Sequence, residues 1–349
     1  MKTMRTRSRK GAPGIIEVAK RANVSPATVS RFYNDPEVVR PDTRKRIEEA
    51  AQALGYIRDR MAGALHNRFS GTIGLIVPTI DNAIFAELIE AFAERLREKD
   101  RTMLVAAHGY DLSLETAIVR SLLERRIDGV ALVGLDHEAV PLNMLAQRDV
   151  PVISIWNYRE DYAFPCVGAD NGKAGRLIME HLIELGHEDI ALLFPDTGSN
   201  DRARDRIDAA LDAARATNIT IDESRIFSCP YDVGEAKKIA RKIIADNPPT
   251  AIACGNDIIA HGVLFACQEK GIRVPEDISI IGIGDFGGSE HLVPGLTTVR
   301  LPARRIGQQA ADHILAMSET GAAPNPRNLA IELSFMNRGS TGPAKANTV

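Results

Sequence analysis

The sequence IIEVAKRANVSPATVSRF at residues 15–32 predicts two short helices joined by a tight turn. Ile15, Val18, Ala19 and Ala22 recur at the spacing i, i+3, i+4 and i+7, which gives the first helix one apolar face. Alanine at position 19 is small enough to let two crossing helices approach closely. These residues therefore predict a pair of helices that pack against each other.

The turn between the two helices has its own sequence signals. Asn23 tolerates the left-handed backbone that ends a helix, and Ser25 offers an N-cap oxygen. Pro26 suits the first helical position, where a missing N–H costs nothing. Val29 and Phe32 are expected to face inward, which leaves the opposite face of the second helix exposed. This arrangement is a helix-turn-helix, and its second helix is suited to a DNA major groove.

A third helix completes a small all-α head. Pro41-Asp42-Thr43 opens it, an apolar face runs from Arg44 to Leu54, and Gly55 ends it. We expect the head at residues 14–58, after a disordered basic tail at 1–13 and before a hinge linker at 59–70. A head of this size is marginally stable alone.

The charge of the chain is divided unevenly along its 349 residues. Residues 1–70 contain 15 Lys and Arg against 7 Asp and Glu, a net charge of +8, whereas the remainder carries −11. Such a basic head predicts contact with a polyanion. The four cysteines form no C-x-x-C pair, and neither a signal peptide nor a membrane span is visible. We expect a cytoplasmic protein with reduced thiols, no cofactor and no metal.

After the linker, apolar runs alternate with amphipathic segments, which is typical of parallel β-sheets with helices on both faces. The pattern restarts after Ala169-Asp170, so we predict an α/β body of two doubly wound subdomains with a ligand cleft between them. A last strand is predicted at Ile331–Phe335. The predicted limits are 71–338 for the body, about 71–169 plus 296–326 for the N-subdomain, about 170–295 plus 327–338 for the C-subdomain, and 339–349 for a polar tail.

Several motifs resemble those of the lactose-repressor (LacI/GalR) family of bacterial transcription regulators. They include V-A-x-x-A-N-V-S-x-x-T-V-S-R-x-x-N at Val18–Asn34, A-x-x-L-G-Y at Ala51–Tyr56, H-L-I-E-L-G-H at His181–His187 and V-P-x-D-I-S-I-I-G at Val274–Gly282. The resemblance spans nearly the whole chain, and G-x-G-D-F at Gly282–Phe286 is similar to the gluconate-utilisation branch. It implies a periplasmic-binding-protein-like body, a homodimer on a palindromic operator, and a small sugar or sugar acid as effector.

The resemblance also implies which residues contact DNA. Arg31 could donate two hydrogen bonds to a guanine, whereas Pro26 and Ala27 are apolar at positions where the family reads bases. Ala62 and Leu65 would belong to a hinge helix, with Leu65 wedged into the minor groove; alternatively, Leu65 packs on the body. Candidate phosphate anchors, each of which could instead be a cap or a surface group, are Ser25, Thr28, Ser30, Tyr33, Asn34, Thr43 and Arg44.

For the effector, the resemblance points to Arg206 at the start of a helix predicted at Arg204–Thr217, where Arg202 and Arg204 add charge. Guanidinium groups suit a carboxylate or a polyhydroxylated ligand. Trp156 and Tyr231 could stack on a sugar or close a core edge. The full set of candidate effector contacts is Asn82, Phe85, Trp156, Arg206, Tyr231, Asn256, Asp257 and Asp285.

Two other classes of protein remain as alternatives. A solute-binding protein on the same fold would lack the basic head. The G-x-G-x-x-G at Gly282–Gly287 would suit a dinucleotide enzyme, but it lies late in the chain and has no acidic residue at the expected interval. No catalytic constellation is visible. We therefore expect an effector-controlled transcription regulator that is not an enzyme.

Overall fold

The computed structural model describes residues 13–58, 69–245 and 247–345. The chain forms two compact units, divided between Ser70 and Gly71. Of the predicted basic tail at 1–13, only residue 13 is among the described residues. The predicted hinge contacts Ala62 and Leu65 lie outside them.

The head is built from three helices with the predicted signals at their ends. Asn23 has a φ of 53° and Gly55 a φ of 61°, so both adopt the left-handed conformation that ends a helix. Ser25 Oγ accepts a hydrogen bond from Thr28 N at 3.1 Å and caps the second helix. The helices are α1 (Ile15–Ala22), α2 (Pro26–Asn34) and α3 (Pro41–Leu54), and their shared core includes Val18, Ala19, Val29, Phe32, Ile47 and Ala50.

The body contains two lobes, each with a six-stranded sheet, as the predicted fold class requires. The first lobe has the strand order β11-β5-β4-β3-β1-β2, and its described pairings are all parallel. Its strands are β1 (Thr72–Val77), β2 (Thr102–Ala107), β3 (Gly129–Val133), β4 (Val152–Asn157), β5 (Cys166–Ala169) and β11 (Asn328–Ala330). Its helices are α4 (Ala83–Arg97), α5 (Glu115–Glu124), α6 (Ala139–Ala146) and α11 (Ala303–Thr320).

The second lobe has the strand order β12-β10-β9-β8-β6-β7, and β12 is antiparallel to β10. Its strands are β6 (Ile190–Phe194), β7 (Ile226–Ser228), β8 (Ala251–Cys254), β9 (Ser279–Gly284), β10 (Thr297–Arg300) and β12 (Ser334–Met336). Its helices are α7 (Asn171–Glu184), α8 (Asp201–Ala216), α9 (Val233–Ile243) and α10 (Asp257–Lys270). Each central strand is a short apolar run buried on both faces.

The predicted division of the body was wrong near its carboxyl end. Strand β10 pairs with β9, so it belongs to the second lobe rather than to the N-subdomain. Of the predicted strand Ile331–Phe335, only Ser334 and Phe335 lie in a strand, β12, which pairs with β10 in the second lobe; β11, which pairs with β5 in the first lobe, ends before it at Ala330. The chain therefore crosses between the lobes three times, after β5, after β10 and after β11.

The segment 339–345 was predicted to be a polar tail, but it packs against the second lobe. Ser340 is fully buried, and its Oγ donates to Ile280 O at 2.6 Å. Ile280 N donates to Ser340 O at 2.8 Å, and Ala344 N donates to Leu185 O at 2.8 Å. These backbone hydrogen bonds fix the segment, because buried peptide groups must be paired.

Helices α7 and α8 cross at very close range, which places the start of α8 beside the cleft. A Cβ added at Gly175 would lie 1.9 Å from the backbone oxygen of Arg206, so position 175 requires glycine. Among the described residues, no helix has both the length and the apolar character needed to cross a membrane.

Candidate functional site

The exposed face of α2 is the candidate DNA interface. Pro26, Ala27 and Arg31 are exposed, whereas Val29 and Phe32 are buried in the core of the head. Within the described part of the chain, no acceptor holds the Arg31 guanidinium. The Arg31 guanidinium on this face is therefore available to donate hydrogen bonds to a guanine edge. The small apolar surface of Pro26 and Ala27 beside it suits a thymine methyl.

The candidate phosphate anchors on α2 are hydrogen-bonded within the head. Ser25 Oγ and Thr28 Oγ1 lie 2.9 Å apart, and Asn34 Nδ2 donates to Ser30 Oγ at 3.4 Å. Arg58 also donates to the side-chain oxygen of Asn34. These contacts give the four residues structural roles as caps and surface links, and leave their DNA roles as predictions.

The other candidate anchors help to hold the helices together. Tyr33 packs edge-on against Phe32, with 4.8 Å between ring centroids, and its carbonyl accepts from Arg58 at 2.6 Å. Arg44 Nε donates to Val39 O at 2.7 Å. Arg44 also pairs with the Glu37 carboxylate at 2.9 Å, which holds the pKa of that carboxyl below its usual range. Thr43 Oγ1, half-buried, accepts from Arg46 at 3.4 Å.

In the body, a cleft of about 430 Å³ lies where the carboxyl ends of strands from both lobes meet. This is the position at which parallel α/β sheets bind ligands. The lining residues follow β1, β2, β6, β7 and β8 in the chain: Thr79, Asp81, Asn82, Gly109, Tyr110, Pro195, Asp196, Ser199, Asn200, Pro230, Tyr231 and Ile258.

A smaller inner pocket of about 20 Å³ shares Asn82, Tyr110 and Tyr231 with the cleft. Its remaining lining combines aromatic and apolar side chains with two arginines and one amide: Ile84, Phe85, Trp156, Arg202, Arg206, Asn256, Ile283, Phe286 and Leu301. Six of the eight candidate effector residues thus line the cleft or the inner pocket.

Arg206 is the most distinctive group of the inner pocket. Its side chain is almost fully buried, Nε donates to Asn171 Oδ1 at 2.8 Å, and Nη1 donates to Gly255 O at 2.9 Å. No carboxylate of the described residues forms an ion pair with it, and burial lowers its pKa. A buried cation without an anionic partner is costly, so the pocket favours a ligand that supplies negative charge or acceptor oxygens.

Helix α8 begins at Asp201, three residues earlier than predicted, and of the two neighbouring arginines only Arg202 lines the inner pocket with Arg206. Asn200 caps the helix and Asp201 occupies its first turn, which suits the positive end of the helix dipole. Arg202 pairs with Asp201 at 2.6 Å, and Arg204 pairs with Asp136 at 2.5 Å. Arg206 alone of the three therefore lacks an ion-pair partner in the described residues.

The aromatic residues form two pairs. Trp156 is 2% exposed, and its ring lies 5.3 Å from that of Phe85, so Trp156 forms a wall of the inner pocket rather than an open stacking platform. Its φ of 80° is rare outside glycine, a strain typical of functional sites. Tyr110 and Tyr231 lie 5.6 Å apart, one from each lobe, and Asn200 Nδ2 donates to the Tyr231 hydroxyl at 3.1 Å.

Asn82 and Asn256 each cap a helix beside the pocket. Asn82 Oδ1 accepts from Ile84 N at 3.3 Å, and Asn256 Oδ1 accepts from Ile259 N at 3.0 Å. Neither side-chain NH2 group has an acceptor within the described residues. Both amides can therefore donate to a ligand while their oxygens hold the helix ends.

Asp257 and Asp285 line neither the cleft nor the inner pocket, and other groups of the protein hold both carboxylates, so their roles as effector contacts stay predictions. Asp257 accepts from Thr298 Oγ1 at 2.6 Å, Ser289 Oγ at 2.9 Å and Phe286 N at 3.1 Å. Burial raises the pKa of Asp257 to about 6, against these hydrogen bonds, which lower it.

The second aspartate, Asp285, is the first residue of the loop that follows β9. Asp285 pairs with Arg300 at 2.6 Å and with Arg338 at 2.7 Å. The glycine-rich loop also differs from a phosphate cradle, since a Cβ on Gly284 would meet the ring of Phe286 at 2.2 Å. The loop wraps an aromatic side chain.

Among the polar residues of the cleft that the sequence prediction missed are Tyr110, Asp196, Ser199 and Asn200. Tyr110 closely follows β2, and the other three follow β6. Ser199 Oγ donates to Tyr110 O at 2.7 Å and joins the two lobes across the cleft. Their position after buried strands was the available signal, because such residues meet at one edge of a parallel sheet.

A helix-turn-helix head and a two-lobed ligand-binding body define the class of DNA-binding transcription regulators that respond to a small molecule. Residues 14–59 match the model for bacterial regulatory proteins of the lacI family, and residues 179–341 match a periplasmic binding protein-like domain. The chain belongs to the LacI family.

Individual relatives agree with this assignment. The chain is 30% identical to the HTH-type transcriptional regulator DegA of Bacillus subtilis, over 94% of this chain and 98% of that protein. It is 33% identical to the transcriptional repressor PurR of Vibrio atlanticus, over 86% of this chain and 90% of that protein. A lac repressor dimer bound to operator and the anti-inducer ONPF superposes with a TM-score of 0.83 at 25% identity, over 95% of this chain and 100% of that chain. These relatives are regulators rather than enzymes, and the alternative of a solute-binding protein without a DNA-binding head was wrong.

Proposed function

We propose that this regulator binds a palindromic operator as a homodimer and that a small carbohydrate or sugar acid controls it from the cleft. The observation that carries the proposal is Arg206, a buried cation without a carboxylate partner in the described residues. It faces a pocket that already contains aromatic rings and free amide donors. The protein would act in the cytoplasm, as a repressor of carbohydrate-utilisation genes.

On the DNA side, the exposed face of α2 supports contact with one operator half-site. Arg31 supplies the hydrogen-bonding information of that face, since Pro26 and Ala27 can offer only apolar contact. The lac repressor described above is a dimer on its operator. By analogy, two copies of this chain would place two such helices on successive half-sites about one helical turn apart.

On the effector side, the volume and the chemistry of the cleft support a small polyhydroxylated ligand. A cleft of about 430 Å³ lies within the usual range of ligand sites, about 300–1,000 Å³. Aromatic rings suit the apolar face of a sugar, and the amides of Asn82 and Asn256 suit its hydroxyls. A carboxylate on the ligand would form a charge-assisted pair with Arg206.

Contacts between the lobes explain how the ligand could act at a distance. Besides Ser199 and Tyr110, Leu135 N in the first lobe donates to Asp201 in the second at 2.8 Å. Arg202 donates to Val133 O at 3.4 Å. A ligand in the cleft touches both lobes, so it can favour one arrangement of them only if it binds that arrangement more tightly.

The DNA part is tested by a mobility-shift titration of the full chain on its upstream intergenic DNA, at several salt concentrations. Arg31→Ala should abolish the preference for this DNA over random DNA, a loss of about 1–3 kcal/mol at each half-site. Arg46→Ala removes the same charge from α3 and serves as the matched control, which should retain the preference. Equal discrimination by both variants would mean that α2 is not the recognition helix.

The effector part is tested by a thermal-shift screen of the full chain against matched pairs of neutral sugars and sugar acids. A ligand present at a hundred times its Kd should stabilise the folded protein by about 2.7 kcal/mol. Arg206→Gln should lose this stabilisation, whereas Arg215→Gln, at the exposed end of the same helix, should keep it. Undiminished affinity in Arg206→Gln would remove Arg206 from the site.

A further inference from the structure

Outside the cleft, Glu115 and His137 form a buried pair in the first lobe. Their side chains are 2% and 1% exposed, and His137 Nδ1 lies 2.9 Å from Glu115 Oε1. The other ring nitrogen, Nε2, lies 3.1 Å from Gly134 O. His137 thus links the first residue of α5 to the loop that follows β3, and we call this link the Glu115–His137 latch.

The hydrogen bonds of the latch determine how many protons it holds. A carbonyl oxygen can only accept, so Nε2 must carry a proton that it donates to Gly134. The hydrogen bond between Nδ1 and Oε1 then needs a second proton. Either Nδ1 holds it, as an imidazolium beside a carboxylate, or Oε1 holds it, as a carboxylic acid beside a neutral imidazole. Both forms contain the same number of protons, so the geometry requires that shared proton whichever atom holds it.

Loss of the shared proton would place two lone pairs 2.9 Å apart in a buried site. The latch would then open, because neither Nδ1 nor Oε1 could donate. The intact latch therefore depends on the shared proton.

The loop held by the latch contacts the helix that carries Arg206. Leu135 N donates to Asp201 at 2.8 Å, and Asp136 pairs with Arg204 at 2.5 Å, both in the first turn of α8. Gly134 N donates to Ile155 O at 3.0 Å, next to Trp156 in the wall of the inner pocket. The loop held by the latch is thus bonded to residues next to the lining residues Asn200, Arg202 and Trp156.

Other charged and titratable groups face the latch from neighbouring elements. His108, which follows β2, is buried with its Nδ1 unpaired among the described residues, and burial lowers its pKa. Arg202 and Asp201 approach from α8, and Asp111 lies before α5. Glu115 Oε2 has no partner in the described residues either. Among these groups, none is hydrogen-bonded to the Glu115 carboxylate in place of His137.

We propose that the Glu115–His137 latch is a proton-dependent positioning device that holds the wall of the effector cleft, so that the cleft loosens when the pH is raised far enough to remove the shared proton. The proposal rests on the proposed effector function for its consequence, but its test requires neither effector nor DNA. Trp156 is the single tryptophan of the chain and lies in the pocket wall, so its fluorescence reports the state of the cleft directly.

The full chain is titrated without ligand from about pH 6 to about pH 9. Acrylamide quenching of Trp156 and the folding equilibrium constant are measured at each pH. We expect quenching to rise, and the folding constant to fall by up to tenfold per pH unit where one proton is released.

Glu115→Gln isolates the contribution of the latch. The glutamine amide can donate permanently to Nδ1 of a neutral His137 while Nε2 keeps its proton on Gly134, so this variant has no shared proton to lose. Its quenching should stay low across the titration. Glu290→Gln makes the same chemical change in the exposed pair with His291 and should follow the wild-type curve.

An unchanged pH step in Glu115→Gln would overturn the latch. If that variant fails to fold, nitrogen-15 NMR of histidine-labelled wild-type protein gives the answer, with His137 assigned by its loss in His137→Gln. Protons on Nε2 and in the hydrogen bond between Nδ1 and Glu115 Oε1 at pH about 7 support the latch, and the absence of any proton from that hydrogen bond contradicts it. A mobility shift on the same preparations tests the proposed function separately, since loss of operator binding with an intact pH step would count against that function alone.

Discussion

The recognition face of the head and the cleft of the body are two binding surfaces made in opposite ways. The first comes from one helix, in which Pro26, Ala27 and Arg31 are separated by at most five positions. The second comes from loops at the ends of strands in both lobes, from Thr79 to Ile258. A surface on one helix follows from local sequence, whereas an assembled cavity depends on how distant elements pack.

The two surfaces also differ in the core that supports them. The head rests on one small cluster around Val29 and Ile47, whereas the cleft rests on extended clusters that continue through both sheets of the body. A small domain has little stability to lose. The same perturbation should therefore abolish the function of the head and only weaken that of the body, unless it strikes a crossing point of the body.

The largest effect is expected at such a crossing point. Gly175→Ala would force a Cβ to within 1.9 Å of Arg206 O, so α7 and α8 must separate. We expect the free energy of unfolding of the body to fall by about 4 kcal/mol. Urea unfolding followed by Trp156 fluorescence measures it. Gly172→Ala, on the same helix with its nearest neighbour at 3.3 Å, should be almost neutral, and equal losses in the two variants would contradict the argument.

The head should lose nearly as much from one core truncation. Ile47 is fully buried, so Ile47→Ala should cost about 3 kcal/mol, enough to unfold a domain of this size. Operator binding should disappear while the Trp156 transition of the body stays in place. Ile57→Ala, at a side chain that is 88% exposed, should change neither. DNA binding by Ile47→Ala would contradict the prediction, because it would mean that the head is more stable than its small core implies.

A smaller effect is expected from Asp257, whose pKa is raised by burial from 3.8 to about 6. A raised carboxyl pKa favours the protonated folded state, so its stabilisation is complete below about pH 4 and is lost as the pH rises through about 6. The shift of about 2 pKa units corresponds to a loss of up to about 3 kcal/mol. Asp257→Asn should remove this slope from urea titrations between the two pH values, and a persisting slope would assign it to another group.

The smallest effect compares two helix caps. Ser25→Ala in the head and Asp170→Ala in the body each remove one cap, from Thr28 N and Lys173 N respectively, at a cost of about 1 kcal/mol. We expect weaker operator binding near 37 °C from the first variant and only a lowered Tm from the second. Similar losses of DNA binding in both would show that the head is not the more marginal unit.

Sequence alone was sufficient to predict most of the described head. Asn23, Ser25 and Gly55 have the backbone and capping roles that their residue types favour, because those roles involve atoms within four positions. The alternation of strands and helices in the body was also predictable, since buried parallel strands are continuous apolar runs. Both successes rest on short-range patterns.

Short-range patterns were not sufficient to predict the side-chain partners and the strand pairing of the body. Asp257 and Asp285 follow strands as ligand contacts do, but three donors distant in sequence hold the first, and two arginines hold the second. Likewise, nothing in the composition of β10 or β11 indicates which sheet each strand joins. Strands of only three or four residues are assigned by the path of the chain rather than by their own sequence.

The three crossings between the lobes limit how this protein can be recombined with its relatives. A single exchange near residue 70 transfers the head complete, since the compact units divide there. Neither lobe of the body is continuous in sequence, so replacing one requires junctions after β5, β10 and β11 together. DNA specificity can therefore be inherited as a module, whereas the effector cleft has to change residue by residue.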